Sequence, residues 1–219
     1  KAYGKTTDLT AMGGAQYVHT FDKCFFMPSD LTAGLEYNRD RLKDNMWGYN
    51  RHTDQTVNIY SAFLQNEWKN DRWGILIGGR LDKHNMVDNV IFSPRANLRF
   101  NPTQNINLRL SYSSGFRAPQ AFDEDMHIEN VGGTVAMIER AKDLKEEKSQ
   151  SFSVSADMYH RFGAFQTNLL IEGFYTRLTD VFVLGKPYDR GDGILVKTRS
   201  NGPGAKVMGL TLEGKEAYL

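Results

Sequence analysis

The sequence lacks three features that mark common classes of protein. It has one cysteine, Cys24, among 219 residues, which excludes an internal disulfide framework and any zinc site built from several cysteines. It has no uninterrupted apolar run close to the roughly 20 residues that a membrane-spanning helix needs. It also lacks an excess of either charge, because 27 lysines and arginines face 26 acidic residues, so nothing favours a nucleic-acid partner.

The sequence does contain a repeated alternation of apolar and polar residues with a period of two. The clearest stretch sets Phe92, Pro94, Ala96, Leu98 and Phe100 against Ser93, Arg95, Asn97 and Arg99. Strands of this kind have one apolar and one polar face, which a hydropathy average does not reveal. At roughly 10 to 12 residues they are also longer than strands of ordinary globular proteins. The pattern keeps one class of membrane protein open, the β-barrel.

The alternation predicts nine strands, at about residues 14–26, 30–41, 57–69, 73–83, 90–101, 105–116, 149–160, 164–182 and 206–219. We expect short turns at 27–30, 70–72, 101–104 and 161–164, and longer connections at 42–56, 84–89, 117–148 and 183–205, with 1–13 in another long loop. Short and long connections alternate, which is typical of an outer-membrane barrel rather than a Greek-key sandwich.

The odd number of strands has a consequence for closure. The first and last of nine antiparallel strands are parallel to each other, so they cannot close a barrel by themselves. The sequence therefore predicts an arc of a larger barrel. A tenth strand, missed by the pattern, would instead allow a small closed barrel.

Five segments resemble, in the correct order, motifs of TonB-dependent outer-membrane receptors. They lie at residues 78–82, 111–119, 144–149, 174–180 and 207–213, and the second contains Tyr112, Gly115, Phe116, Arg117, Ala118 and Pro119. The segment that follows, 122–128, resembles a version common in receptors of the Bacteroidetes. The sequence departs from the family pattern at Glu146, where proline is usual, at Leu81, where an aromatic is usual, and at Thr211, where glutamate is usual.

The resemblance implies an all-β chain: an antiparallel up-and-down meander of about nine long strands, forming an arc of a transmembrane barrel of about 22 strands. Residues 1–219 would be a partial barrel domain with no plug and no C-terminal closing strand. The full receptor would lie in the outer membrane of a Gram-negative bacterium, contacting lipid, its own plug and the TonB complex. It would take up a scarce nutrient, such as a ferric siderophore, haem or a cobalamin.

Two groups of residues are candidates for binding. A basic stripe on the polar face would either pair with acidic groups of the plug or be neutralised within an ordinary hydrated wall: Arg80, Arg95, Arg99, Arg109 and Arg117. Loop residues are candidate ligand contacts, with an aromatic girdle or a solvated acidic loop as the alternative: Trp47, Tyr49, Arg51, Asp123, Asp125 and His127. The last three could coordinate a cation, since their spacing puts them on one side of an extended chain.

Other interpretations stay open. The chain could be a complete small outer-membrane porin or adhesin, or a soluble ligand-binding β-sandwich. We expect no cofactor and no enzymatic activity, since neither a nucleophile elbow nor a zinc-protease motif is present. If the chain were excised from a larger barrel, its open edges and apolar face would favour self-association.

Overall fold

In a computed structural model the chain forms one long antiparallel sheet of nine strands; the structure describes residues 3–120, 129–131, 134–191 and 193–218. The strands are β1 (Gly4–Cys24), β2 (Met27–Met46), β3 (Arg51–Lys69), β4 (Trp73–His84), β5 (Ile91–Thr103), β6 (Ile106–Arg117), β9 (Glu147–Phe162), β10 (Phe165–Thr179) and β14 (Ala205–Tyr218). Each pairs with its neighbour in this order, so the predicted meander is confirmed. Within the described ranges β1 and β14 lie at opposite edges, and the arc is not closed.

The two faces of the sheet differ in chemistry, as the alternation predicts. Cross-strand register places Ile77, Ala96, Tyr112, Phe152 and Tyr175 in one row on the face that we call the outward face. Large apolar side chains on this face are exposed, whereas charged and hydroxyl side chains occupy the other, inner face. An exposed apolar surface of this extent needs a cover, and lipid provides one for an outer-membrane strand.

Aromatic pairs border the apolar band of the outward face at both ends. Near the short turns, the ring of Trp73 lies 4.2 Å from that of Phe100, centroid to centroid. Near the longer connections, the ring of Tyr37 lies 4.9 Å from that of Tyr60. Between the two borders a strand advances by about eight to ten residues, or roughly 25 to 33 Å, which tilted by about 40° spans about 20 to 25 Å of membrane thickness. This is the height of the apolar band of an outer-membrane barrel.

The first three strands extend well beyond the predicted ends. β1 begins at Gly4, and only Trp47–Asn50 separates β2 from β3, so the predictions of loops at residues 1–13 and 42–56 are wrong. A short 3-10 helix (Trp47–Tyr49) makes the connection, and Asn50 closes it in the left-handed region at φ +47°, which asparagine tolerates.

In this extension the apolar residues change face. Above Tyr37, the outward face of β2 carries Arg39, Arg41 and Lys43, whereas Leu42 and its cross-strand neighbourhood turn inward and are buried. Charged side chains on the outward face mark the end of the lipid-facing band. The extension therefore rises above the membrane as a two-sided wall.

Two of the predicted turns are displaced by prolines that lie within strands. The first turn is Phe25–Phe26, with Phe25 at φ +63°, and another is Gln104–Asn105, not 27–30 and 101–104 as predicted. Pro28 and Pro102 each fall where the strand register shifts, a position that tolerates the missing N–H. The turns at 70–72 and around Gly163, at φ +59°, are confirmed.

A second, smaller sheet stands at the end of the longer connections and was not predicted. It is built from β7 (Glu129–Val131), β8 (Thr134–Arg140), β11 (Phe182–Leu184), β12 (Tyr188–Asp189) and β13 (Leu195–Asn201). β8 and β13 pair in parallel, which places Met137 directly beside Val196, and both side chains are fully buried. The Glu147 carboxylate accepts a hydrogen bond from the Phe182 N–H at 2.8 Å and so joins the two sheets.

Among the residues that the structure describes, no helix is long and apolar enough to cross a membrane.

A charge on the outward face should destabilise the barrel, whereas the same charge on the inner face should not. Ala96 lies on the outward face midway between Phe92 and Phe100, and Asn97 lies on the inner face. We expect Ala96→Arg in the complete receptor to lower the free energy of unfolding by about 2 to 4 kcal/mol, since lipid solvates a guanidinium poorly. Denaturant titration in phospholipid vesicles measures this change. The matched control, Asn97→Arg, should differ from the parent by much less, and equal losses would contradict the assignment of faces.

Candidate functional site

The inner face of β4 holds a closed cluster of charges around Arg80. The Arg80 guanidinium contacts the Glu36 carboxylate at 2.5 Å and the Asp82 carboxylate at 2.8 Å, and it donates to the Ser61 hydroxyl at 2.8 Å. Ser61 in turn donates to Asp82 at 2.6 Å. Strand pairing sets this geometry, because Glu36, Ser61 and Asp82 lie in one row across β2, β3 and β4. The structure therefore neutralises Arg80 within the wall.

Three other arginines of the inner face have no carboxylate partner among the described residues. Within the described residues the Arg95 side chain makes no hydrogen bond or ion pair, and Arg109 donates to the side-chain carbonyl of Asn107 at 2.7 Å. Arg99 lies across Gly74 and donates to the backbone carbonyls of Asn70 and Trp73. Arg99 and Arg109 also face each other in register. Like charges placed directly opposite are destabilising, so positive charge is concentrated at this point of the wall, and Glu67 and Glu172 line the same hollow without an ion pair to either guanidinium in the described residues.

A polar cleft of about 770 Å³ opens where the longer connections meet. The start of β3, the 85–90 connection and β8 line it, and its charged side chains are mostly basic: Arg51, His52, Glu139, Arg140, Lys142 and Arg190. Arg140 is held in place by hydrogen bonds to the Gln55 side chain at 3.0 Å and the Pro119 carbonyl at 2.9 Å. The excess of cations favours a negatively charged occupant.

A buried carboxylate holds Arg51, one of the residues that line this cleft, in place. Asp44 is fully buried, and it accepts hydrogen bonds from the Thr6 hydroxyl at 2.6 Å and from Arg51 at 2.8 Å. The Arg51 side chain is only 12% exposed, so the ion pair lies largely away from water. Because charge-assisted bonds of this length are strong, Asp44 ties β1, β2 and β3 together at their far ends.

The remaining candidates from the sequence are dispersed. Trp47 is half exposed and contacts Tyr3 with the ring centroids 5.1 Å apart and the rings tilted, outside the cleft lining. The side chain of Tyr49 lies outside what the structure describes, and so do Asp123, Asp125 and His127. Arg117 lies at the end of β6 with its guanidinium 5.7 Å from the centre of the Phe182 ring, where it joins the two sheets.

Several residues of the cleft escaped the sequence analysis. Arg140, Lys142 and Arg190 come from the two longest connections, where no periodic pattern separates a binding residue from a solvated one. His84 lies at the end of β4 and is fully buried. Its ring accepts the Met86 N–H at Nδ1, 3.0 Å away, and therefore donates from Nε2 to the Gln120 side chain. No group of three His, Cys, Asp or Glu residues in the described ranges could hold a metal ion.

Comparison with known protein families assigns this architecture. Residues 2–218 match the family model described as TonB dependent receptor-like, beta-barrel. The chain belongs to the TonB-dependent receptor β-barrel family. This assignment confirms the resemblance seen in the motifs and decides against a soluble β-sandwich.

Solved structures of receptor barrels share the fold. The siderophore receptor PirA of Pseudomonas aeruginosa superposes with a TM-score of 0.74 at 17% identity, over 96% of this chain and 39% of PirA. A variant of the ferric enterobactin receptor PfeA of Pseudomonas aeruginosa, in complex with enterobactin, gives a TM-score of 0.70 at 20% identity, over 95% of this chain and 33% of that receptor. This receptor barrel chain therefore spans between a third and two fifths of the length of these proteins.

One curated relative is also similar in sequence. It is the "Probable hemoglobin and hemoglobin-haptoglobin-binding protein 3" of Haemophilus influenzae, which is 24% identical over 189 residues, 85% of this chain and 16% of that protein. All three relatives are named as receptors or binding proteins rather than enzymes. None is named for cobalamin and none comes from the Bacteroidetes, so both of those expectations stay predictions.

Loss of the Asp44 carboxylate should increase local unfolding at the far ends of β1, β2 and β3 in the receptor. Asp44→Ala leaves the largely buried Arg51 without this counterion, and breaking a buried pair on one side is strongly destabilising. We expect amide hydrogen exchange in residues 40–46 and 51–56 to accelerate at least tenfold, measured by mass spectrometry on the complete receptor.

A surface carboxylate on the same wall provides the control. Asp54 is mostly exposed and pairs with Arg41 at 3.8 Å and Lys43 at 3.3 Å, and exposed pairs of this kind contribute little. Asp54→Ala should leave exchange in both segments unchanged. Equal acceleration in the two variants, or none in either, would show that the buried pair does not hold the wall.

Proposed function

We propose that this chain is part of the barrel wall of an outer-membrane receptor that takes up a scarce iron-bearing nutrient with energy from the TonB complex. Membership of the receptor barrel family supports the class of protein. The names of the relatives, which mention siderophores, enterobactin and haemoglobin, support an iron-bearing ligand rather than a cobalamin. Residues 1–219 are then one portion of a larger barrel in a Gram-negative outer membrane, and a plug fills its lumen.

A group of closely placed arginines on the inner face is the observation that carries this proposal. Arg95, Arg99 and Arg109 have no carboxylate partner within the described part of the wall. Charges that line a confined lumen act over longer distances than charges on an open surface, because the walls exclude solvent and counterions. Acidic side chains of a plug would neutralise them. Arg80 contributes less to that contact, since Glu36 and Asp82 already neutralise it, and Arg117 lies at the far end of its strand.

The basic cleft supports a negatively charged nutrient. Arg140, Lys142 and Arg190 line it together with one carboxylate, that of Glu139, whereas Arg51 is paired with the buried Asp44. Haem carries propionate carboxylates, and an iron chelate with an excess of carboxylate or catecholate donors is an anion, so either would be attracted to this rim. We propose that the nutrient first meets the cleft and that the loop residues Trp47, Tyr49, Asp123, Asp125 and His127 also contact it.

Growth on a defined iron source tests the proposal. A strain that lacks its own haem and enterobactin receptors, and that expresses the complete receptor, should grow with haemin or ferric enterobactin as the sole iron source. Growth should require TonB. The triple variant Arg95→Glu, Arg99→Glu and Arg109→Glu should lower the rate of iron uptake at least tenfold. The three introduced carboxylates would repel an acidic plug, and the plug would then dock incorrectly.

A charge-preserving variant separates electrostatics from folding. Arg95→Lys, Arg99→Lys and Arg109→Lys together keep the three positive charges and should keep most of the uptake, with equal amounts of both variants in the outer membrane by immunoblot. Growth that is independent of TonB, or absent on both iron sources, would contradict the proposed uptake. Normal uptake by the triple glutamate variant would contradict the contact with the plug.

A further inference from the structure

The outward face of the sheet has a groove among its exposed apolar side chains. The groove has a volume of about 540 Å³ and lies at the upper border of the apolar band, across β1 to β4. Small residues form its floor and larger apolar ones its sides: Gly13, Ala15, Ala62, Leu35, Tyr37 and Tyr60. The strand register explains the depression. Gly13 lies beside Tyr37, and Ala15 and Ala62 lie on either side of Leu35, so a small residue stands next to each large one. Its apolar lining suits an acyl chain.

Two cations stand at the upper end of this groove. Lys83 lies directly beside Tyr60 in the register of β3 and β4, and Arg39 is the next outward-facing residue above Tyr37 on β2. With strands about 4.8 Å apart and about 6.7 Å between successive outward residues, their Cα atoms are separated by roughly 12 Å. Long cationic side chains at this spacing can close on one phosphate group.

Neither cation is neutralised by a carboxylate in the described residues. The Lys83 ammonium donates to the backbone carbonyls of Val87 at 3.1 Å and Asp88 at 2.6 Å, which carry no net charge. Arg39 is exposed and has no hydrogen bond or ion pair there. By contrast, Arg41 and Lys43, farther up the same face, share the carboxylate of Asp54. Among the three outward-facing cations at the upper end of β2 in the described residues, Arg39 is thus the one without a carboxylate partner.

The position of the cations relative to the aromatic border fits a lipid. Tyrosine rings at the edge of an apolar band lie at the level of lipid headgroups, and basic side chains just beyond that level attract anionic headgroups. We propose that the groove binds the acyl chain of a lipid whose phosphate headgroup carries a net negative charge, and that Arg39 and Lys83 bind that headgroup. This inference rests on the outer-membrane location given above, and it concerns a site on the lipid side, away from the cleft and the lumen.

Native mass spectrometry of the complete receptor in detergent tests this site with defined lipids. The probes are dioleoyl phosphatidic acid, dioleoyl phosphatidylcholine with the same acyl chains, and inorganic phosphate. The unaltered receptor should retain phosphatidic acid more tightly than phosphatidylcholine and should not retain inorganic phosphate. Arg39→Gln should weaken phosphatidic acid binding roughly fivefold, the effect of one basic side chain at a membrane surface, and leave phosphatidylcholine binding unchanged.

Two further variants make the test specific. Gly13→Leu fills the groove, and a side chain fits there because a Cβ at Gly13 would meet no atom within 4 Å. It should weaken binding of both lipids. Lys43→Gln, on the same face but paired with Asp54 at 3.3 Å, should change neither.

Three outcomes would overturn the proposal: equal binding of the two lipids by the unaltered receptor, retention of inorganic phosphate alone, or parental binding by both Arg39→Gln and Gly13→Leu. Because the readout is bound lipid, a failure of iron uptake in the growth assay would not affect it. A failure of lipid binding would equally leave the uptake proposal untouched.

Discussion

The structure depends on one constraint: every backbone N–H and C=O within the apolar band must find its partner inside the sheet, because lipid offers none. The nine strands meet it by pairing over long, continuous registers, such as that from Ile106 beside Met158 to Arg117 beside Glu147, which has no shift. The irregularities at Pro28 and Pro102 fall near the short turns, where water can take up unpaired groups. Continuous pairing fixes which residues share a face. The outward face then forms the lipid-facing surface, and the inner face forms the wall of the lumen.

On the outward face the fixed register produces a lipid surface with aromatic borders, and on the inner face it produces a wall with two electrostatic parts. The part around Arg80 is neutralised by its own neighbours in the row of Glu36, Ser61 and Asp82. In the part around Arg95, Arg99 and Arg109 no carboxylate forms an ion pair with these guanidinium groups within the described residues, although Glu172 lies in the same row as Arg99 and Arg109. The wall therefore has arginines that stabilise it and arginines that can bind something within the lumen.

The period of two predicted the nine strands because it reports the membrane directly: residues from Phe92 to Phe100 alternate between lipid and water. It failed where the surroundings change. Above Tyr37, apolar residues such as Leu42 turn inward and basic residues such as Arg39 turn outward. The alternation of apolar and polar residues therefore changes phase, and it no longer predicts a strand there. The second sheet could not be predicted either, because β8 and β13 are short and are brought together only by contacts distant in sequence. Arg140 belongs to β8, so the sequence analysis, which identified Arg51 as a candidate, missed Arg140 on the opposite side of the cleft.

Site-directed spin labelling tests the central claim, that residues of one strand alternate between lipid and water. Single cysteines would be placed at each position from 92 to 100 in the complete receptor, with Cys24 and any other cysteine replaced, and the accessibility of each label to oxygen and to a polar nickel chelate would be measured in lipid vesicles. The account predicts that labels at even positions respond mainly to oxygen, which dissolves in lipid, and that labels at odd positions respond mainly to the nickel chelate. Equal accessibility at neighbouring positions, or a helical period near 3.6, would contradict it.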